Sequence, residues 1–281
     1  MATTSVARHV VELVDLQSSY SLGSSNIHVD DADRIHFTRT VYSKSCPAST
    51  ITVVNINHPA VVTTKLPTIV DKMQVLSNDK YICLCDDGQI SLYDQTDGLH
   101  DLVKVSLAPK ERVKNIFMDT QGSYYIGCIR HLNQLVVRKY TPATNTLVEL
   151  FVISDKYAFY RSQLLGIIND QLIVFSPDPR SITIRTFSLD GVEIKQAVLP
   201  LEEGIRHHMK TRVMSKSGLI AVHMSHHKYG DSSNKRWNVI IMTLDGVVIE
   251  CLENIVETNK LAWNSRDQLY IIGHRGNVRM W

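Results

Sequence analysis

Two segments of the chain, Ser188-Leu189-Asp190-Gly191-Val192-Glu193-Ile194 and Thr243-Leu244-Asp245-Gly246-Val247-Val248-Ile249, carry nearly the same order of residues. An Asp-Gly pair between two apolar runs is a strong hairpin signal, because a tight turn needs residues that tolerate positive φ. A sequence that repeats such a hairpin repeats a sheet. Unit ends fall at Pro67, Pro109, Ser154, Pro200 and Ile255, at intervals of 42 to 55 residues, the longest stretched by a polar insertion from His226 to Arg236. Within a unit the order is a half-polar strand, a strongly apolar strand, an alternating strand and an outer strand. Lys72 to Leu76, Tyr81 to Cys85, Ile90 to Tyr93 and Leu102 to Leu107 are one example. A period near 40 to 50 with four strands per unit is the mark of a propeller blade.

The tail from Lys260 to Trp281 supplies three strands, and His9 to Leu16 is a strand without a neighbour. Pairing the two ends removes an exposed sheet edge. The sequence therefore predicts an all-β, six-bladed β-propeller of four-stranded blades, a single domain over residues 1–281, closed by the N-terminal strand pairing with the last blade. The blades fall at 26–67, 68–109, 110–154, 155–200, 201–255, and 256–281 plus 9–16. Leu201 to Arg212, with Gly204 and a His pair, reads as a loop or a single turn.

Composition excludes other classes. Of 281 residues 44% are hydrophobic and 21% charged, which rules out disorder and coiled coil for the whole chain. No run of 18 apolar residues occurs, and Met1 to Val14 lacks a basic flank with an apolar stretch behind it, so a cytoplasmic protein without a membrane partner is expected. The five cysteines, Cys46, Cys83, Cys85, Cys128 and Cys251, are odd in number and scattered, which suits buried thiols better than a disulfide framework. Cys83 and Cys85 share one strand face and read as core.

Val113 to Ile126, with its Asp119-Thr120-Gln121-Gly122 turn, and Ser188-Leu189-Asp190-Gly191 resemble the NHL-repeat propellers at the C-terminus of TRIM-NHL proteins. Leu261-Ala262-Trp263-Asn264 with Val278-Arg279-Met280-Trp281 is similar to WD-repeat blades. The NHL resemblance implies a six-bladed, non-catalytic binding module.

The net charge is only +2, yet its distribution is uneven. Loops between units and between second and third strands share one face of a propeller. They gather Lys110, Arg112, Lys114, Arg130, Arg206, Lys210, Arg212, Lys235 and Arg236, while the opposite turns hold Asp31, Asp33, Asp79, Asp94, Asp97, Asp119, Asp170, Asp190, Asp245 and Asp267. Clustered cations bind phosphate backbones or acidic protein segments. Tyr157, Tyr160, Tyr229 and Trp237 lie among these loops and would stack unpaired bases. The expected ligand is single-stranded RNA or an acidic protein segment. The first alternative is a protein–protein scaffold subunit without nucleic-acid binding. The second is a calcium-dependent propeller hydrolase of lactonase type, which would draw on Asp71, Asp155, Glu203 and Glu257. Their neighbours Lys72, Lys156, Arg206 and Lys260 oppose a divalent cation. No G-x-S-x-G, H-E-x-x-H or P-loop occurs, and the His207-His208 and His226-His227 pairs lack a carboxylate or thiolate at ligand spacing. No catalytic residue, metal or cofactor is expected.

Overall fold

The computed structural model describes residues 10–11, 27–30, 32–41, 48–55, 61–66, 70, 72–77, 80–84, 88–94, 97–131, 133–155, 161–228, 236–255, 258–273 and 278–281. Among them the chain begins with β1 (Val10–Val11) and then lays down five antiparallel four-stranded blades in succession. Blade one is β2 (Ile27–Val29), β3 (Arg34–Val41), β4 (Ala48–Asn55) and β5 (Val61–Lys65). Blade two is β6 (Lys72–Ser77), β7 (Lys80–Leu84), β8 (Gln89–Asp94) and β9 (Gly98–Lys104). Blade three is β10 (Arg112–Met118), β11 (Tyr124–Arg130), β12 (Gln134–Thr141) and β13 (Thr146–Ser154). Blade four is β14 (Gln163–Ile168), β15 (Gln171–Asp178), β16 (Ser181–Ser188) and β17 (Glu193–Pro200). Blade five is β18 (Ile205–Met214), β19 (Ile220–Lys228), β20 (Arg236–Met242) and β21 (Val248–Leu252). The last sheet takes β22 (Thr258–Trp263), β23 (Leu269–Gly273) and β24 (Val278–Met280) from the end of the chain, and β1 fills its outer position.

What the sequence reads as six like units is, in the structure, five blades continuous in the chain and one composite sheet. The reason is supply: three strands remain after Leu252, so the fourth comes from elsewhere. It is short, pairing Val10 with Arg279 and Val11 with Val278.

Burial follows strand position. A second strand lies between neighbouring blades on both faces, so β11 is buried from Tyr124 to Ile129 and β15 from Leu172 to Ser176, while the outer strand β17 is largely exposed. Hydrophobic clusters sit between sheets rather than inside them. Ile126, Cys128 and Val136 of blade three pack with Ile82, Leu84 and Ile90 of blade two, and the stacked rings of Phe151 and Phe187, 4.2 Å apart, join blades three and four. Each such buried side chain contributes about 1.5–3 kcal/mol. Val29 and Ile35 pack with Ala262, Tyr270 and Ile272, so the composite sheet meets blade one and closes the ring.

Leu201 to Arg212 departs from the loop expectation. Residues from Ile205 onward form β18, the ten-residue inner strand of blade five, because its backbone pairs along the whole of β19. A tertiary partner outweighs the weak local pattern.

The hairpins on the lower face repeat one design. At Asp30, Asp119, Ser188, Ser215, Thr243 and Asn264 a side-chain oxygen accepts the amide of the residue four positions on, and the backbone N–H of the same residue donates to that position's carbonyl. The fourth residue is left-handed: Asp33 (φ 56°), Gly122 (80°), Gly191 (86°), Gly218 (91°), Gly246 (76°) and Asp267 (57°). Asp, Asn and Gly are the residues that tolerate this conformation, so the acidity of these turns follows from turn chemistry.

Two of these turn aspartates also bridge sheets. Asp267 accepts from the Ser217 N–H at 3.4 Å, tying the last sheet to blade five. Asp33 of blade one accepts from Asn264 Nδ2 and Tyr270 Oη, each at 3.0 Å, and pairs with Arg266, so the ring's closing seam carries three side-chain bonds to a single carboxylate.

Candidate functional site

The six inner strands enclose an axial cavity of about 510 Å³. Five of these strands carry a register shift against their neighbour, between Val75 and Ser77, Val113 and Asn115, Leu164 and Gly166, Met209 and Thr211, and Thr258 and Lys260. A bulge leaves one residue out of the ladder and re-aims its side chain. Lys114, Leu165 and Lys210 are such residues, and all three line the cavity.

Among the described residues the lining includes the cations Lys114, Lys210, Arg212, Lys216 and Lys260 against one carboxylate, Asp30. Asp30 is already committed. Its Oδ2 meets His36 Nε2 at 2.9 Å and Arg34 Nε at 2.7 Å, while His36 Nδ1 lies 3.1 Å from the Tyr81 hydroxyl. Burial raises its pKa, but the Arg34 amide, His36 and the Arg34 guanidinium outweigh that and hold the carboxyl below its usual range. Arg212 is fixed by Gln163 Oε1 at 2.7 Å and the Arg161 carbonyl at 3.0 Å, and its guanidinium lies 5.3 Å from the Phe175 ring centre. Burial lowers its pKa to about 10, with Asp155 acting in the opposite direction. The Lys260 ammonium is also held below its ordinary value, first by burial and then by Lys210.

The structure divides the basic residues read from the sequence into three groups. Lys114, Lys210 and Arg212 converge on the cavity. Lys110, Arg112 and Arg236 are exposed on the upper face, where inner and third strands begin. Arg206 is the second residue of β18. Arg130 is drawn into an ion network, 2.9 Å from Glu149 and 3.7 Å from Glu111, and Lys235 lies outside the described residues. Of the aromatic residues, Tyr157, Tyr160 and Tyr229 lie outside the described residues. Trp237 is half-buried; His223 packs on its ring at 4.8 Å, with the Lys210 amine 5.6 Å from its centre. The sequence reading places Lys260 with the cations of the basic face and omits Lys216. Lys216 sits in the turn from Ser215 to Leu219, where no local pattern marks it as a channel residue.

Of the acidic candidates, the described Asp155 and Glu203 lie outside the cavity lining. Asp155 accepts from the Ser162 amide at 2.7 Å and hydroxyl at 2.6 Å, Glu203 is exposed, and Asp71 and Glu257 lie outside the described residues. Burial raises the Asp155 carboxyl despite these bonds. Among the described residues no three His, Cys, Asp or Glu side chains converge on a metal-sized site. Cys83 and Cys128 are buried free thiols, Cys251 is an exposed one, and Cys46 and Cys85 lie outside the described residues. No helix there is long and apolar enough to cross a membrane.

His223 makes acid sensitivity a direct consequence of the site. Burial, then Lys210, push its imidazole down to about 4 from 6.5, against a raising hydrogen bond with the Ile255 backbone. The folded state thus binds this proton less readily than the unfolded state. The stability it contributes is complete above pH 6.5 and lost as pH falls toward 4, an upper limit of about 3 kcal/mol. Denaturant unfolding at a series of pH values should show that loss, and His223→Phe should flatten it. An unchanged slope in the variant would remove His223 as the cause.

No family model matches the chain, and no curated protein matches it in sequence. Solved structures do match. A calcium-binding protein, regucalcin, from Agrobacterium tumefaciens superposes with a TM-score of 0.62 at 14% identity, covering 98% of this chain and 92% of its own. Streptogramin B lyase gives 0.57 at 11% identity, covering 98% and 97%, and YCF48 bound to D1 peptide gives 0.54 at 11% identity, covering 100% and 98%. At such identities the likeness is one of fold.

Proposed function

We propose that this propeller is a non-catalytic binding module that takes an acidic protein segment at the upper mouth of its channel. The observation that carries the reading is the wall itself: Lys114, Lys210, Arg212, Lys216 and Lys260 face one cavity with Asp30 as the counter-charge among the described lining residues. Such a surplus, inside low-dielectric walls, concentrates anions. Lys110, Arg112 and Arg236 extend it outward onto the mouth. YCF48, of similar fold, is described with a bound peptide, which supports a protein ligand for this architecture. Calcium binding, as in the regucalcin likeness, would need six to eight oxygen ligands. The channel offers Asp30 amid five cations, so the residues present do not fit that ion. In this reading the ring closed by β1 is a rigid frame, and the whole disc is one binding unit.

The test is fluorescence anisotropy with a labelled oligoglutamate peptide, an oligoglutamine control and a single-stranded RNA oligomer, over a salt series. Glutamate binding that weakens with salt, and at least tenfold on Lys114→Glu, is expected, a change of about 1.4 kcal/mol. Equal binding of the glutamine peptide, or tighter binding of the RNA, would overturn the reading.

A further inference from the structure

Lys260 is half-buried, whereas the channel amines Lys210 and Lys216 are exposed. It lies on β22, next to the buried Leu261, Ala262 and Trp263, and it lines the 510 Å³ cavity. Among the described residues no carboxylate pairs with it, and the charged group that acts on it is Lys210, a second cation. Burial and that neighbour both favour loss of the ammonium proton. A lysine partly withdrawn from water beside another cation is the arrangement that turns an amine into a nucleophile near neutral pH. The other charged or titratable groups of the wall are Lys114, Arg212, Lys216, Asp30 and His28. Three of these are cations that would hold an anionic substituent, and the cavity volume is that of a small-molecule site, about 300–1,000 Å³.

We propose that Lys260 is a covalent, reversible binding site for a small aldehyde or ketone bearing a carboxylate or phosphate. The neutral amine attacks the carbonyl carbon, a C–N bond forms, and the C=O π pair moves to oxygen, which takes up a proton. Loss of water then gives the C=N bond. One amine and one carbonyl yield one imine and one water, with no change of oxidation state. This site shares its cavity and cations with the acidic-segment reading, but peptide binding and adduct formation are measured separately, so failure of one is distinguishable from failure of the other.

The probe is pyridoxal 5′-phosphate, trapped with borohydride and located by peptide mass spectrometry. Labelling of Lys260 is expected at least tenfold faster than that of the exposed Lys80 and Lys195, and at a lower pH midpoint. Lys260→Arg, which keeps the cation, should lose that adduct and remain folded. Lys210→Met should keep the adduct and move its midpoint to higher pH, a shift that a purely structural lysine would not show. Phosphate-free pyridoxal should react at Lys260 at least tenfold more slowly. Protection by pyruvate or by glyceraldehyde 3-phosphate would assign the substituent as carboxylate or phosphate. Labelling spread over exposed lysines without preference, equal labelling of the Lys260→Arg protein, or protection by neither competitor would overturn the proposal.

Discussion

Replacing Glu111 by alanine should destabilise the protein by about 3–5 kcal/mol, the cost of leaving a buried charge without its partner. The Glu111 side chain is 0% exposed; its Oε1 lies 2.9 Å from Arg138 Nη2, and its Oε2 accepts from the Ala108 amide at 2.8 Å. Arg138, itself buried, also donates to Cys128 Sγ at 3.2 Å. Removing the carboxylate leaves the buried Arg138 guanidinium with only the more distant Glu149, 3.7 Å away, among the described carboxylates, and orphans the turn amide. The double replacement Glu111→Leu with Arg138→Met removes both charges and should recover much of the loss, because desolvation opposes the ion pair in the native state. Chemical denaturation of the three proteins measures this. A single Glu111→Ala variant as stable as the parent would show that the pair contributes nothing.

The second large effect is at the closing seam. Asp33→Ala should cost about 3 kcal/mol, from hydrogen bonds involving charged groups worth about 1.5–3 kcal/mol and the penalty for alanine at positive φ. Asp33→Gly keeps the turn and should lose only the first part; Asp33→Asn keeps the turn and part of the bonding and should lose least. Burial raises the Asp33 pKa, but bonds from Arg266, Asn264 and Tyr270 prevail and hold it below 3.8. Its contribution is therefore present above pH 3.8 and disappears as pH falls through the lower, folded value. Equal melting temperatures across the three variants would mean that the seam is held by Val29, Ile35 and Tyr270 packing alone.

The sheet repeat was legible because turn chemistry is local: Asp190-Gly191 and Asp245-Gly246 announce left-handed turns without reference to the rest of the chain. Strand β18 was not. Its His207-His208 start resembles a loop until β19 is there to pair with it. The same divide runs through the site. That Lys114, Lys210 and Arg212 belong together can be read from the ordering of strands, but the inward direction of Lys114 and Lys210 depends on bulges, which leave no residue signature of their own. Arg130 shows the converse: its place at the end of a second strand suggests a free surface cation, and only tertiary structure reveals Glu111 and Glu149 beside it.

A linear stack of repeats can fray from its two ends, where a unit has one neighbour instead of two. In this protein the hydrophobic clusters lie between sheets, and the packing of Val29 and Ile35 on Tyr270 and Ile272 leaves the array without an end. Every sheet then has a neighbour on both sides, although the composite sheet keeps the short β1 at its outer edge. Weakening the bonds around Asp33 would give unfolding a privileged starting point, turning an endless series of neighbours into an open row that peels from a defined place.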